Sequence, residues 1–130
     1  MAHEFHVDGE GRWLSLLTSG SLTLEEAEEI AEDAGRLCRK HGLKNVLVEL
    51  DLSVDGVDDL AFYRVARIWA DFARGKVRTA FVKGKHPDLD RYFANAINEQ
   101  GAASELFETR AEAELWLARD AAPAGPPDGA

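Results

Sequence analysis

Two charged loops carry most of the residues in this sequence that could do chemistry. The first covers residues 51–59 and reads Asp-Leu-Ser-Val-Asp-Gly-Val-Asp-Asp, with Asp55 and Asp58 as candidate binding carboxylates. Carboxylate oxygens are the ligands that Mg²⁺ prefers. The same residues also suit a turn at Asp55 and Gly56, followed by acidic side chains that favour the positive end of a helix. Because the spacing of an EF-hand is absent, we prefer the turn and predict no metal and no cofactor.

The second loop reads Lys-Gly-Lys-His over residues 83–86 and stands directly before Pro87. Pro87 suits the first turn of a helix, and helix N-termini attract anions, so Lys83, Lys85 and His86 are candidate contacts for a phosphate or carboxylate. His86 has no nucleophile placed beside it, and we predict no catalytic residue. A solvated turn is the preferred interpretation, and an enzyme built on the two loops stays as a third hypothesis.

Three further residues of reactive type have simpler explanations. Cys38 falls on the apolar stripe of a helix beside Ala34 and Leu37, which predicts a buried, inert thiol. His3 and His6 lie in or before an edge strand, and two histidines make an incomplete metal site. No metal is therefore predicted at either place.

The helix predicted over residues 57–74 has an unusually wide apolar face. Its charged residues gather into one narrow stripe: Arg64, Arg67, Asp71 and Arg74. The rest of the circumference is mostly apolar, which is more than packing on a sheet requires. Neighbouring helices, a dimer partner or an apolar ligand could cover it. We predict that four aromatic residues bind a partner or ligand: Phe62, Tyr63, Trp69 and Phe72. On this hypothesis the fold does not need Trp69.

The chain begins with the pattern of a hairpin and an amphipathic helix. Strand-like runs over residues 5–8 and 12–18 flank a glycine-rich turn. Thr23 and Glu26 then form a capping box, and Gly42 ends the helix that follows. One stripe of this helix is apolar: Leu24, Ala27, Ile30, Ala31, Ala34, Leu37 and Cys38.

Strands and helices alternate in the rest of the chain. Strands are predicted over residues 46–50, 77–82 and 105–107, and helices follow them over 57–74, from Pro87 to Gly101, and after a second capping box at Thr109 and Glu112. The helix after Pro87 carries an apolar face made of Leu89, Tyr92, Phe93, Ala96 and Ile97. The last helix points three residues inward: Ala113, Trp116 and Leu117.

The order β-β-α-β-α-β-α-β-α predicts an α/β fold with a mostly parallel five-stranded sheet and an antiparallel first strand. Ser15 and Glu49 interrupt one face of this sheet, so we expect the helices to lie mainly on the other. The domain is predicted over residues 1–120. Residues 121–130 hold three prolines and little to bury, which is typical of a disordered tail.

Composition narrows the classes of partner and compartment. The net charge of -9 disfavours binding to nucleic acid or to anionic membranes. No apolar run approaches the roughly 20 residues that span a bilayer, so no membrane insertion is predicted. A single cysteine and a start without the regions of a signal peptide favour a cytoplasmic protein.

Two stretches of the sequence resemble the STAS/SpoIIAA-like superfamily. The first is the hairpin followed by Leu-Glu-Glu-Ala at residues 24–27 and Val-Leu-Val-Glu-Leu-Asp at residues 46–51. The second is the ending Leu-Phe-Glu-Thr-Arg-Ala-Glu-Ala-Glu-Leu-Trp-Leu at residues 106–117, which is similar to the close of the SpoIIAA-like branch. The likeness covers residues 5 to 118.

The resemblance implies a protein-binding role rather than catalysis. In the anti-sigma-factor antagonists of this superfamily, a serine at the start of the helix after the third strand is phosphorylated to switch partner binding. Here that stretch reads Val57, Asp58, Asp59, Leu60, without a hydroxyl residue. We expect a non-catalytic regulatory module that binds a protein partner and forms a homodimer. The architecture also resembles the lipid-carrying CRAL-TRIO domains, so a carrier or sensor of an apolar small molecule is the alternative.

Ser53 is the hydroxyl residue nearest to the family's switch position, but it lies further back in the loop. We therefore expect Ser53 to be unmodified in protein purified from its own host, because no kinase switch is predicted at this helix. Phosphopeptide mapping measures this directly, and stoichiometric phosphate on Ser53 would contradict the prediction.

Overall fold

The computed structural model describes residues 2–8, 10–21, 23–49, 52–53, 59–84 and 87–119. Its elements follow the predicted order, with one additional two-residue strand. They are β1 (Ala2–Val7), β2 (Leu14–Ser21), α1 (Leu24–His41), β3 (Asn45–Glu49), β4 (Leu52–Ser53), α2 (Asp59–Ala73), β5 (Arg78–Val82), α3 (Pro87–Glu99), β6 (Ser104–Phe107) and α4 (Arg110–Arg119).

The sheet has the predicted mixed topology. Its strands lie in the order β1-β2-β3-β5-β6, with β1 antiparallel to β2 and the other neighbours parallel. The short strand β4 also pairs with β2, and it keeps the register of β3, since Leu17 lies opposite Glu49 and Gly20 opposite Leu52. Leu52 and Ser53 thus pair as a strand inside the segment that was predicted as a loop.

Three helices pack on one face of the sheet and one on the other, as expected from the uneven strands. The larger core lies under α1, α2 and α3. The smaller core lies under α4 and is formed by Trp13, Leu47, Ala80, Val82, Ala113 and Leu117. Ser15 lies opposite Leu47 in the register, and Glu49 follows two residues later, so both interrupting residues belong to the α4 face.

Local sequence signals fix the ends of α1. The Thr23 hydroxyl accepts from the Glu26 amide, and the Glu26 carboxylate accepts from the Thr23 amide, which completes the predicted capping box. At the other end Gly42 adopts φ 65°, a left-handed conformation that favours glycine, and its amide donates to the Cys38 carbonyl. The predicted apolar stripe of this helix lies in the larger core.

Neighbouring elements of the same chain cover much of the wide apolar face of α2. Trp69 is only 6% exposed, and its indole Nε1 donates to the Thr79 hydroxyl of β5 over 2.9 Å. Its ring also meets Phe72 and Phe81, with centroids 5.0 and 6.4 Å away. We therefore correct the interpretation of Trp69 as an anchor for a partner or ligand, because its ring belongs to the core.

Several predicted site residues lie outside the described residues. These are Asp55, Asp58, Lys85 and His86, together with the side chain of Phe62 and the tail at 121–130. Within the described ranges, none of the helices combines the length and apolar character that a membrane span requires.

Replacing Trp69 by alanine is expected to destabilise the protein strongly. The change removes a buried ring and leaves the Thr79 hydroxyl without its donor, so we expect a loss of about 3–5 kcal/mol in the free energy of unfolding. Tyr63→Ala is the matched control, since Tyr63 is an exposed aromatic residue of the same helix and should cost much less. Urea denaturation measures both changes. A Trp69→Ala protein as stable as the wild type would refute the assignment to the core.

Candidate functional site

The carboxyl ends of β2, β3, β5 and β6 meet at one edge of the sheet, which we call the carboxyl edge. Because α2, α3 and α4 each follow one of these strands, their first turns also lie at this edge. Ligands of open α/β sheets usually bind at such an edge. A binding site of this fold is therefore expected at the carboxyl edge.

Lys83, the described cation of the second loop, is held by the neighbouring strand. Its backbone amide donates to the Phe107 carbonyl over 3.0 Å, and its ammonium pairs with the Glu108 carboxylate over 2.7 Å. The hydrogen bond from Lys83 holds the pKa of Glu108 below its ordinary value. Lys83, which was predicted to contact a bound anion, is thus already paired with a carboxylate of the chain.

Arg110, at the start of α4, is a second charged centre that the sequence patterns did not identify. Its guanidinium donates to Glu114 over 2.7 Å, to Glu49 over 2.8 Å and more weakly to Ser15 over 3.4 Å. The hydrogen bond to Glu114 is the main reason that the pKa of Arg110 is raised. These contacts tie α4 to the polar residues of β2 and β3.

The second loop also has an internal structural role at its described end. The Gly84 amide donates to the Asp90 carboxylate over 2.7 Å. Asp90 lies in the first turn of α3, where a carboxylate interacts favourably with the helix dipole. A side chain of the protein therefore occupies one of the backbone donors that an anion could have used.

Apolar side chains are exposed at the start of α2. Leu60 is 61% exposed and Tyr63 is 39% exposed, and we call these two residues the apolar end of α2.

On the adjacent helix α3, Tyr92 is 43% exposed. The sequence placed Tyr92 on the buried face, and this was wrong because the buried stripe runs through its neighbour Phe93 with Ala96 and Ile97.

Phe72 is half-buried at the bottom of an open groove of about 550 Å³ between α1 and α2, which we call the α1–α2 groove. Six residues of α1 line it: Glu28, Ala31, Glu32, Gly35, Arg36 and Arg39. On the α2 side it is lined by Ile68, Asp71, Phe72 and, just beyond the helix, Lys76. A Cβ atom on Gly35 would lie only 3.2 Å from the Phe72 ring, so this glycine permits the close approach of the two helices.

The remaining reactive residues form no site in the described part of the chain. His6 lies 3.1 Å from Glu4, and no group of three or more histidine, cysteine, aspartate or glutamate residues among the described ones is arranged to hold a metal ion. Cys38 is buried, and burial raises the pKa of its thiol to about 11.

We expect Cys38 to react with iodoacetamide far more slowly in the folded protein than in urea, because the thiolate is the nucleophile. The folded state raises the pKa of this thiol from 9.0 to about 11. The protonated thiol therefore contributes fully to the free energy of unfolding below pH 9.0, and this contribution is lost as the pH rises toward 11. Mass spectrometry of the alkylated protein follows the reaction, and equal rates in the folded and unfolded states would contradict the assignment.

No model of a known protein family matches this chain, and no curated protein matches it either. The resemblance to STAS/SpoIIAA-like domains thus rests on the residues named for it at 24–27, 46–51 and 106–117. The site is accordingly interpreted from its geometry, which combines a charged carboxyl edge with the exposed apolar end of α2.

Proposed function

We propose that this chain is a non-catalytic, STAS-like regulatory module that binds a protein partner at the carboxyl edge and also self-associates. We base this on the difference in burial between the two ends of α2. Trp69 fixes the later turns of the helix in the core, whereas the apolar end of α2 is open to solvent. An aliphatic and an aromatic side chain exposed on a rigid helix suit a protein interface.

Two charged residues of the carboxyl edge favour binding over catalysis. Lys83 is neutralised by Glu108, and Arg110 by Glu49 and Glu114. Both cations are therefore already paired within the chain, at the edge of the sheet where α2 begins. A general acid or base would instead need access to a substrate atom.

The resemblance to STAS domains supports the same location. In the antagonists of that superfamily, the helix after the third strand carries the switch that controls partner binding. The corresponding helix here is α2, and its start carries Asp59 and Leu60 in place of hydroxyl residues. We infer that this module presents the same end of the helix to its partner without phosphate control.

The interior beneath α2 gives less support to the carrier of an apolar ligand. The Trp69 ring, which would have lined the pocket, packs against Phe72 and Phe81 of the chain itself. The α1–α2 groove does reach Phe72, but charged side chains make up more than half of its lining. Pockets for apolar ligands are instead lined mostly by apolar and aromatic side chains.

A photo-crosslinking residue at position 63 tests the proposed surface in cells of the native host. We expect it to give one discrete adduct with another protein, because Tyr63 would lie within the interface. Leu115 is the matched control position, since it is also an exposed apolar helical residue, at 69%, but lies on α4. Leu60→Ser should abolish the adduct at position 63 while leaving the melting temperature unchanged.

Two results of this experiment would count against the proposal. One is the absence of any protein adduct from position 63. The other is the same set of adducts from positions 63 and 115, which would show indiscriminate contact rather than a defined surface.

A further inference from the structure

The α1–α2 groove has an acidic end and a basic end. Since α1 and α2 both connect parallel strands, they run in the same direction, and the contact between Gly35 and Phe72 sets their relative height. The Glu28 and Glu32 side chains therefore lie toward one end of the groove. Arg39 and Lys76 lie toward the other, with half-buried Ile68 and Phe72 between the two ends.

The positions of α1 that line this groove form a stripe that is symmetric about its own midpoint. When a second copy of α1 is laid antiparallel to the first, its position 39 falls on position 28, its 36 on 31, and its 35 on 32. The lining positions of the two copies therefore coincide. The charges are then complementary. Glu28 falls opposite Arg39, and Glu32 falls next to Arg36, which also pairs with Asp33 of its own helix.

We propose that the α1–α2 groove binds a second copy of this chain, with the two α1 helices antiparallel about a twofold axis through the middle of the stripe. The two grooves then face each other and enclose the Ile68 and Phe72 side chains in the centre of a four-helix arrangement. Symmetry-related pairs between Glu28 of one copy and Arg39 of the other close both ends. This inference locates the self-association in the proposed function and leaves the apolar end of α2 to the other partner.

The residues at the two ends of the stripe are available for such pairs. Glu28 and Arg39 are exposed, and neither forms an ion pair with any residue that the structure describes. They are separated by about 16 Å along the helix axis, at a rise of 1.5 Å per residue. Two pairs at this separation fix both the direction and the register of the second helix, and Ile68 and Phe72 add apolar contact between them.

The dipole of α1 alone also favours acidic residues in its first half and basic residues in its second. That effect acts on every exposed charge of the helix, whether or not it lines the groove. Glu29 is exposed and acidic like Glu28, but it lies outside the groove lining. Charge reversal at both positions therefore distinguishes an effect on the helix dipole, which both residues share, from an effect on the dimer, which only Glu28 should show.

Sedimentation equilibrium of charge-reversal variants tests the proposal. We expect the wild type to associate to twice the 14.3 kDa of the chain. Glu28→Arg and Arg39→Glu should each weaken the dimer by about tenfold or more, because each places like charges together at both ends. Glu29→Arg should leave the dimer unchanged. Circular dichroism checks that each variant keeps its helices.

The decisive sample is an equimolar mixture of the Glu28→Arg and Arg39→Glu proteins. Opposite charges then meet at both ends of the heterodimer, so the mixture should associate as the wild type does. The double variant should also regain the dimer. A wild type that remains at the mass of one chain would overturn the proposal, as would single variants that dimerise normally or a mixture that stays monomeric.

The proposed partner surface can fail independently of this interface. We expect a monomeric Glu28→Arg protein to keep the crosslink formed from position 63, because the apolar end of α2 is separate from the groove lining. Loss of that crosslink in the monomer would contradict the assignment of two separate surfaces.

Discussion

The hydrogen bond from the Trp69 indole to the Thr79 hydroxyl anchors α2 on the sheet. Both groups are buried, so each needs the other to avoid the cost of an unsatisfied polar atom. The bond joins the later turns of α2 to β5, an inner strand of the sheet. Aromatic contacts through Phe81 to Phe93 extend this constraint to α3. The connection between parallel strands gives α2 its direction, and these contacts hold it against the sheet.

Two surfaces result from fixing α2 in this position. The apolar end of the helix is exposed at the carboxyl edge, where the described cations Lys83 and Arg110 pair with carboxylates of the chain itself. Further along, the close approach of Gly35 and Phe72 forms the floor of the α1–α2 groove. One surface is apolar and asymmetric, which suits a different protein. The other carries complementary charges in a symmetric stripe, which suits a second copy.

Local interactions could be predicted from the sequence, and long-range ones could not. The capping box of Thr23 and Glu26 was predictable because it needs only neighbouring residues. The width of the apolar face of α2 was also visible, but periodicity does not reveal which elements cover a face. The acceptor for Trp69 lies in a different element, and Arg110 reaches a glutamate 61 residues away in the sequence. Such pairs arise only when the chain folds.

If the apolar end of α2 binds a protein, the chain purified from its own host should carry a partner that depends on Leu60 and Tyr63. Native mass spectrometry of the protein from its own host, compared with a Leu60→Ser, Tyr63→Ser variant, tests it most directly. We expect a heteromeric complex for the wild type that is absent from the variant, whereas the mass of the dimer is the same for both. A complex that survives the double substitution, or a wild type that carries a small apolar molecule in place of a protein, would contradict the proposed interface.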